Sequence, residues 1–162
     1  MPSEFNLLMS GGWDGNVHIW DLRVRKSIGA IFGPNISGDT LDYMDQEILT
    51  GSHRNKDYLE LWDLGTRKRI ESISWDEEGY KEGAYVYACQ FGRLDKGKYI
   101  LAACSGINEV KIIDCWKGGK TLFKAFGFDK GCYSVDWGKA KFCFGGGDGN
   151  AFVYKIERKT KN

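Results

Sequence analysis

The 162-residue sequence has little proline, little histidine and no surplus of either charge. Two prolines and no long polar tract exclude a disordered or linker-like chain. The longest apolar runs, such as Tyr99–Cys104, have six residues. A membrane helix needs ~18–20, so no membrane span is expected. The N-terminus has no basic segment followed by an apolar core, and no signal peptide is expected. With 23 basic and 22 acidic residues the net charge is +1, so global charge predicts neither nucleic-acid nor membrane binding. Nucleic acid is not an expected partner.

The five cysteines, Cys89, Cys104, Cys115, Cys132 and Cys143, are scattered, with no C-x-x-C pair. An odd, scattered set is a poor disulfide framework. Cys89, Cys104 and Cys143 lie in apolar stretches and read as buried thiols. An intracellular, reducing location is expected, cytoplasmic or cytoskeletal, with the nucleus open. The two histidines, His18 and His53, sit in different segments and do not make a zinc site. No Gly-x-Ser-x-Gly or His-Glu-x-x-His occurs. Gly145–Gly149 looks like a phosphate loop, but Ala151–Ile156 after it reads as a strand rather than the helix such a loop needs. Asp76-Glu77-Glu78 reads as a solvated acidic loop. No enzyme activity, cofactor or metal is expected.

What the sequence does have is a repeat. Leu7–Asp21, Ile48–Asp63, Ile100–Asp114 and Phe142–Lys155 share one pattern: a short apolar strand, small residues, a turn, then an alternating strand. The anchors Asp21, Asp63, Asp114 and Lys155 are 42, 51 and 41 residues apart. The longer middle interval holds Tyr80–Gly83 and Gly92–Gly97, which read as extended loops. Asp14-Gly15 and Asp148-Gly149 are tight-turn signals, because glycine tolerates positive φ. No window keeps a 3.6-residue apolar period, so the chain reads as all-β.

The Trp20-Asp21 and Trp62-Asp63 dipeptides, the Ser-Gly-Gly-x-Asp-Gly turn and the spacing resemble WD40 repeats. The resemblance covers nearly the whole chain and implies a β-propeller built of four-stranded blades. Ile113-Asp114 and Tyr154-Lys155 replace the Trp-Asp pair in the last two repeats. The family's Gly-His dipeptide is absent, so its Ser/Thr–His–Asp–Trp network cannot form in full. Ser10, Asp14 and Trp20 can keep part of it.

The expected architecture is a partial propeller over 1–157, with blades at about 1–33, 38–78, 84–128 and 131–157 and a basic tail at 158–162. Met1–Phe5 reads as the turn that precedes the first strand. The first blade lacks its inner strand and the last its outer strand, fourteen strands in all. That is about half of a seven-bladed ring. The chain therefore reads as the C-terminal half of a larger propeller, completed by another chain or segment.

The resemblance implies a non-catalytic scaffold for protein partners. One face of the blades carries Trp13 and the long turn Gly51–Asp57, expected to project His53, Arg54 and Lys56. Such a basic, aromatic-flanked patch suits an acidic or phosphorylated peptide. Trp13 reads equally as an interface anchor or as packing against its neighbour. The opposite rim collects Arg23, Arg25, Lys26, Arg67, Lys68, Arg69, Lys117, Lys120, Arg158, Lys159 and Lys161. That stripe could attract acidic tails, such as those of tubulin, nucleic acid or anionic lipid.

Overall fold

The structure is a computed structural model, and it describes residues 6–75, 83–93 and 96–156. Among the described residues fourteen strands alternate with tight turns, and the β-branched and aromatic segments of the repeat form them. The first sheet is β1 (Leu7–Gly11), β2 (Asn16–Asp21) and β3 (Lys26–Phe32). The second is β4 (Leu41–Met44), β5 (Glu47–Gly51), β6 (Leu59–Asp63) and β7 (Arg69–Ile73). The third is β8 (Ala84–Phe91), β9 (Tyr99–Gly106), β10 (Val110–Asp114) and β11 (Lys120–Ala125). The fourth is β12 (Cys132–Trp137), β13 (Lys141–Gly146) and β14 (Ala151–Lys155). Every pairing within these sheets is antiparallel. The molecule is a partial β-propeller of four blades. Among the described residues the first blade has no inner strand and the last no outer strand.

Three apolar clusters join consecutive sheets. Val17, Ile19 and Ile31 meet Ile48 and Trp62 between the first two. Leu49, Leu59, Leu61 and Trp75 meet Val86, Phe91, Ile100 and Ile113 between the second and third. Leu101, Val110 and Ile112 meet Val135, Phe142 and Phe144 between the third and fourth. Period-two alternation makes this possible, since each sheet buries one residue set against each neighbour.

The inner strands are tied by a repeating latch. Asp42 of β4 accepts the main-chain N–H of Phe91 in β8 at 2.8 Å. Gln90 of β8 accepts that of Trp137 in β12 at 3.1 Å. Asp42, Gln90 and Asp136 hold equivalent registers, opposite Leu49, Leu101 and Cys143. Asp136 is exposed.

Charges are buried between sheets as well. Glu109, just before β10, and Lys111, within it, are buried. The Trp75 indole donates to Glu109 at 3.0 Å, and Lys111 donates to the Trp75 carbonyl at 2.9 Å. The Lys111 ammonium also lies 4.9 Å from the indole centroid, over its face, and Lys124 pairs with Glu109. Burying these charges is tolerated because each has a close partner.

All five cysteines are free thiols. Cys89 and Cys104 are buried as expected, whereas Cys143 is only half-buried. Its side faces away from the third sheet, where no described element covers the fourth. Met1–Phe5, Asp76-Glu77-Glu78, most of Tyr80–Gly83, and part of Gly92–Gly97 lie outside the described residues.

Candidate functional site

The turns between the second and third strands of the blades, with two of the inner strands, bring a row of aromatic rings onto one face. Trp13 sits in the β1–β2 turn and is 74% exposed. Its ring stacks toward His53 of the β5–β6 turn, with centroids 6.1 Å apart and planes 16° from parallel. His53 stacks on Tyr85 at 4.4 Å and meets Tyr87 edge-on at 5.6 Å. Tyr87 meets Tyr133 edge-on at 5.1 Å. The row thus touches all four blades.

Two bulges produce the tyrosine pair. Tyr87 is the extra residue between Val86 and Ala88 in β8, and Tyr133 the extra residue between Cys132 and Ser134 in β12. A bulge re-aims the side chain of its unpaired residue. Both bulges fall at the same register, so both rings turn to the same side. Glycine makes room: a Cβ on Gly131 would come within 2.7 Å of the Tyr133 hydroxyl. Gly38, at φ +81°, lets the chain pass under the Tyr87 carbonyl, where a Cβ would come within 2.6 Å.

The structure separates the residues expected to project from the long turn. Lys56 is exposed and His53 joins the ring row, but Arg54 turns inward. It pairs with buried Glu60 and donates to the carbonyls of Gly33 at 3.0 Å and Asp57 at 2.9 Å. Arg69 holds the other Glu60 oxygen at 2.8 Å. A carboxylate buried in β6 needs cationic partners, and the arginines flanking it in sequence supply them. The expectation that Arg54 projects as a free cation is therefore corrected.

The opposite rim is likewise partly committed. Arg23 pairs with Asp21 at 2.6 Å, and Arg67 donates to the Ile28 carbonyl at 2.7 Å. Arg25, Lys26, Lys68, Lys117 and Lys120 are exposed. Arg158, Lys159 and Lys161 lie outside the described residues.

The repeat anchors do different work in different blades. The Trp20 indole donates to Ser10 at 2.9 Å, and the Trp62 indole to Thr50 at 2.9 Å. Asp14 accepts from Asn16, and those hydrogen bonds lower its pKa. Asp63 caps its turn by accepting from the Thr66 N–H at 2.6 Å. In the third blade Ile113 fills the tryptophan position as a buried aliphatic, and Asp114 accepts from the Trp116 N–H at 3.1 Å. In the fourth, Tyr154 stacks on Phe142 at 5.3 Å. Gly15 and Gly149 adopt φ +73° and +74° in the Asp-Gly turns after Asp14 and Asp148.

Sequence reasoning missed Tyr85, Tyr87 and Tyr133. Among the described residues no three His, Cys, Asp or Glu side chains converge as a metal site, and no helix is long and apolar enough to cross a membrane.

No family model matches the chain. Mitochondrial division protein 1 of Neurospora crassa is 31% identical to it over 80 residues, 49% of this chain and 11% of that protein. The chain thus spans about a ninth of that relative. Two solved structures share the fold at 18% identity. The computationally designed Ika4 protein matches with a TM-score of 0.73, over 94% of this chain and 86% of its own. The computationally designed Ika8 protein matches with a TM-score of 0.72, over 93% of this chain and 43% of its own. By fold, the chain is a four-sheet stack similar to these designed proteins and, by sequence, across just under half of its length, to a much longer fungal protein.

Proposed function

We propose that the chain is part of a WD40-type β-propeller and acts as a non-catalytic protein–protein interaction scaffold within a larger assembly. The observation that carries this reading is the ring row: aromatic side chains held on one face by rigid strands and reverse turns. Aromatic residues are enriched among interface anchors. The Trp20–Ser10 and Trp62–Thr50 bonds, each beside a Trp-Asp pair, support the WD40 assignment. Residues 1–157 form one partial propeller in this reading, with 158–162 as its basic tail. The partners are other proteins, among them a chain or segment that completes the ring. A cytoplasmic or cytoskeletal location suits five free thiols. The fold alone does not select a partner. The alternatives are a reader of acidic or phosphorylated peptides, which is weakened because Arg54 is spent on Glu60, and a cytoskeletal or ciliary adaptor that contacts acidic tubulin tails through the basic rim.

Native mass of the chain purified from its source tests the scaffold reading. A complex heavier than the 18.3 kDa chain supports it. A monomer in every preparation overturns it.

A further inference from the structure

Resting on the scaffold reading, we propose that the aromatic face binds an arginine-bearing segment of a partner protein. Its guanidinium groups lie against the exposed rings at the two ends of the row, Trp13 at one and Tyr87 and Tyr133 at the other, where the Asp39 carboxylate holds one of them.

Asp39 is exposed and fixed beside Tyr87. Its N–H donates to the Tyr87 carbonyl at 3.0 Å, and its carbonyl accepts from the Cys89 N–H at 2.9 Å. With Asp42 and Gln90 in equivalent registers, Thr40, bonded to Gly51, matches Ala88, opposite Ala103, and the residue before each is Asp39 or Tyr87. Asp39 therefore stands near the place in its blade that the bulged tyrosines hold in theirs. One carboxylate and two phenol rings line up across three inner strands.

The charge balance favours a cation. Arg54 is withdrawn to Glu60, which among the described residues leaves Lys56 and Lys130 as the exposed cations of the loops on this side. Asp14, Asp39, Asp129 and Asp148 are exposed in the same loops. An aromatic face carries negative potential and attracts a cation above it. Arginine fits better than lysine, because its planar guanidinium stacks on a ring while its fork meets a carboxylate. An acidic or phosphorylated segment would instead meet ring faces and carboxylates of its own sign.

Fluorescence anisotropy of a labelled Gly-Ser peptide carrying two arginines tests the site, with versions in which lysine, glutamate or phosphoserine replaces arginine. The arginine peptide should bind, the lysine peptide about fivefold more weakly, and the other two not measurably. D39N and W13A alter exposed side chains and should each weaken arginine-peptide binding about five- to tenfold, with an unchanged urea midpoint. K117A/K120A, on the opposite rim, should bind as the parent protein does. Three results would each overturn the assignment: tighter binding of the glutamate or phosphoserine peptide, parent-like binding by D39N and W13A, or no arginine-peptide binding at all. If the complex from the source persists while the arginine peptide fails to bind, the arginine site falls and the scaffold reading stands.

Discussion

Trp20 and Trp62 make the same hydrogen bond at the same length, 2.9 Å, to a hydroxyl on the strand beside them. Their surroundings differ. Trp62 is 8% exposed, packed under Val17, Ile19 and Ile31 of the first sheet. Trp20 is half-buried, on the face of the first sheet that no described sheet covers. The bond is a local product of strand register: Ser10 stands opposite His18, and Thr50 opposite Glu60, each two residues before its tryptophan. Its worth is set by what packs over it. A repeat can therefore carry its signature in a blade with one face that no described sheet covers.

Substituting the two tryptophans breaks the comparison most sharply. W62A should cost about 3–5 kcal/mol, because a large cavity opens between two sheets. W20A should cost about 1 kcal/mol or less, since solvent already reaches its site. Urea denaturation measures both, and equal losses would show that a cover hides Trp20 in solution. Next, T50A should cost about 1–3 kcal/mol by leaving a buried indole N–H without a partner, and S10A within about 0.5 kcal/mol.

Thiol labelling extends the same contrast to the other end of the stack. Burial pushes Cys104 and Cys115 up to about 12 and Cys132 up to about 11. The thiolate is the reactive form, so these should resist iodoacetamide at pH 8. Cys143, half-buried on the open face of the fourth sheet, should be the first labelled, as read by peptide mass spectrometry. Protection of Cys143 in material from the source would mean that another sheet lies over it.

The smallest effect concerns the anchor aspartates. The Arg23 guanidinium holds the Asp21 carboxyl at about 2, below its ordinary 3.8. A depressed carboxyl stabilises the fold above its unfolded pKa, and that stability is lost as pH falls from about 4 toward 2. D21N should flatten the acid limb of a stability–pH curve over that interval. D63N should act in the same direction, since hydrogen bonds from Thr66 lower Asp63 too.

The strand order was legible because each strand carries its own alternation and each turn its own glycine or aspartate. Asp14-Gly15 and Asp148-Gly149 sit where their dipeptides predict, at positive φ. The buried charges were not legible. Glu60 and Lys111 look like solvent-facing residues in an alternating strand, and only the adjacent sheet shows that they are covered. The ring row was half legible. Trp13 and His53 stood out as turn residues, whereas Tyr87 and Tyr133 depend on bulges, which shift a side chain without marking the sequence. Arg54 read as a projecting cation because nothing in its turn names Glu60 as its partner.

The inner-strand latches all point one way: an earlier sheet supplies the acceptor side chain, and the next supplies the main-chain N–H. The array consequently has a head and a tail, as a growing polymer does. Its tail is Asp136, a carboxylate at the register of Asp42 and Gln90. Any strand that extends the array from this side meets an acceptor already set at the spacing of the two before it.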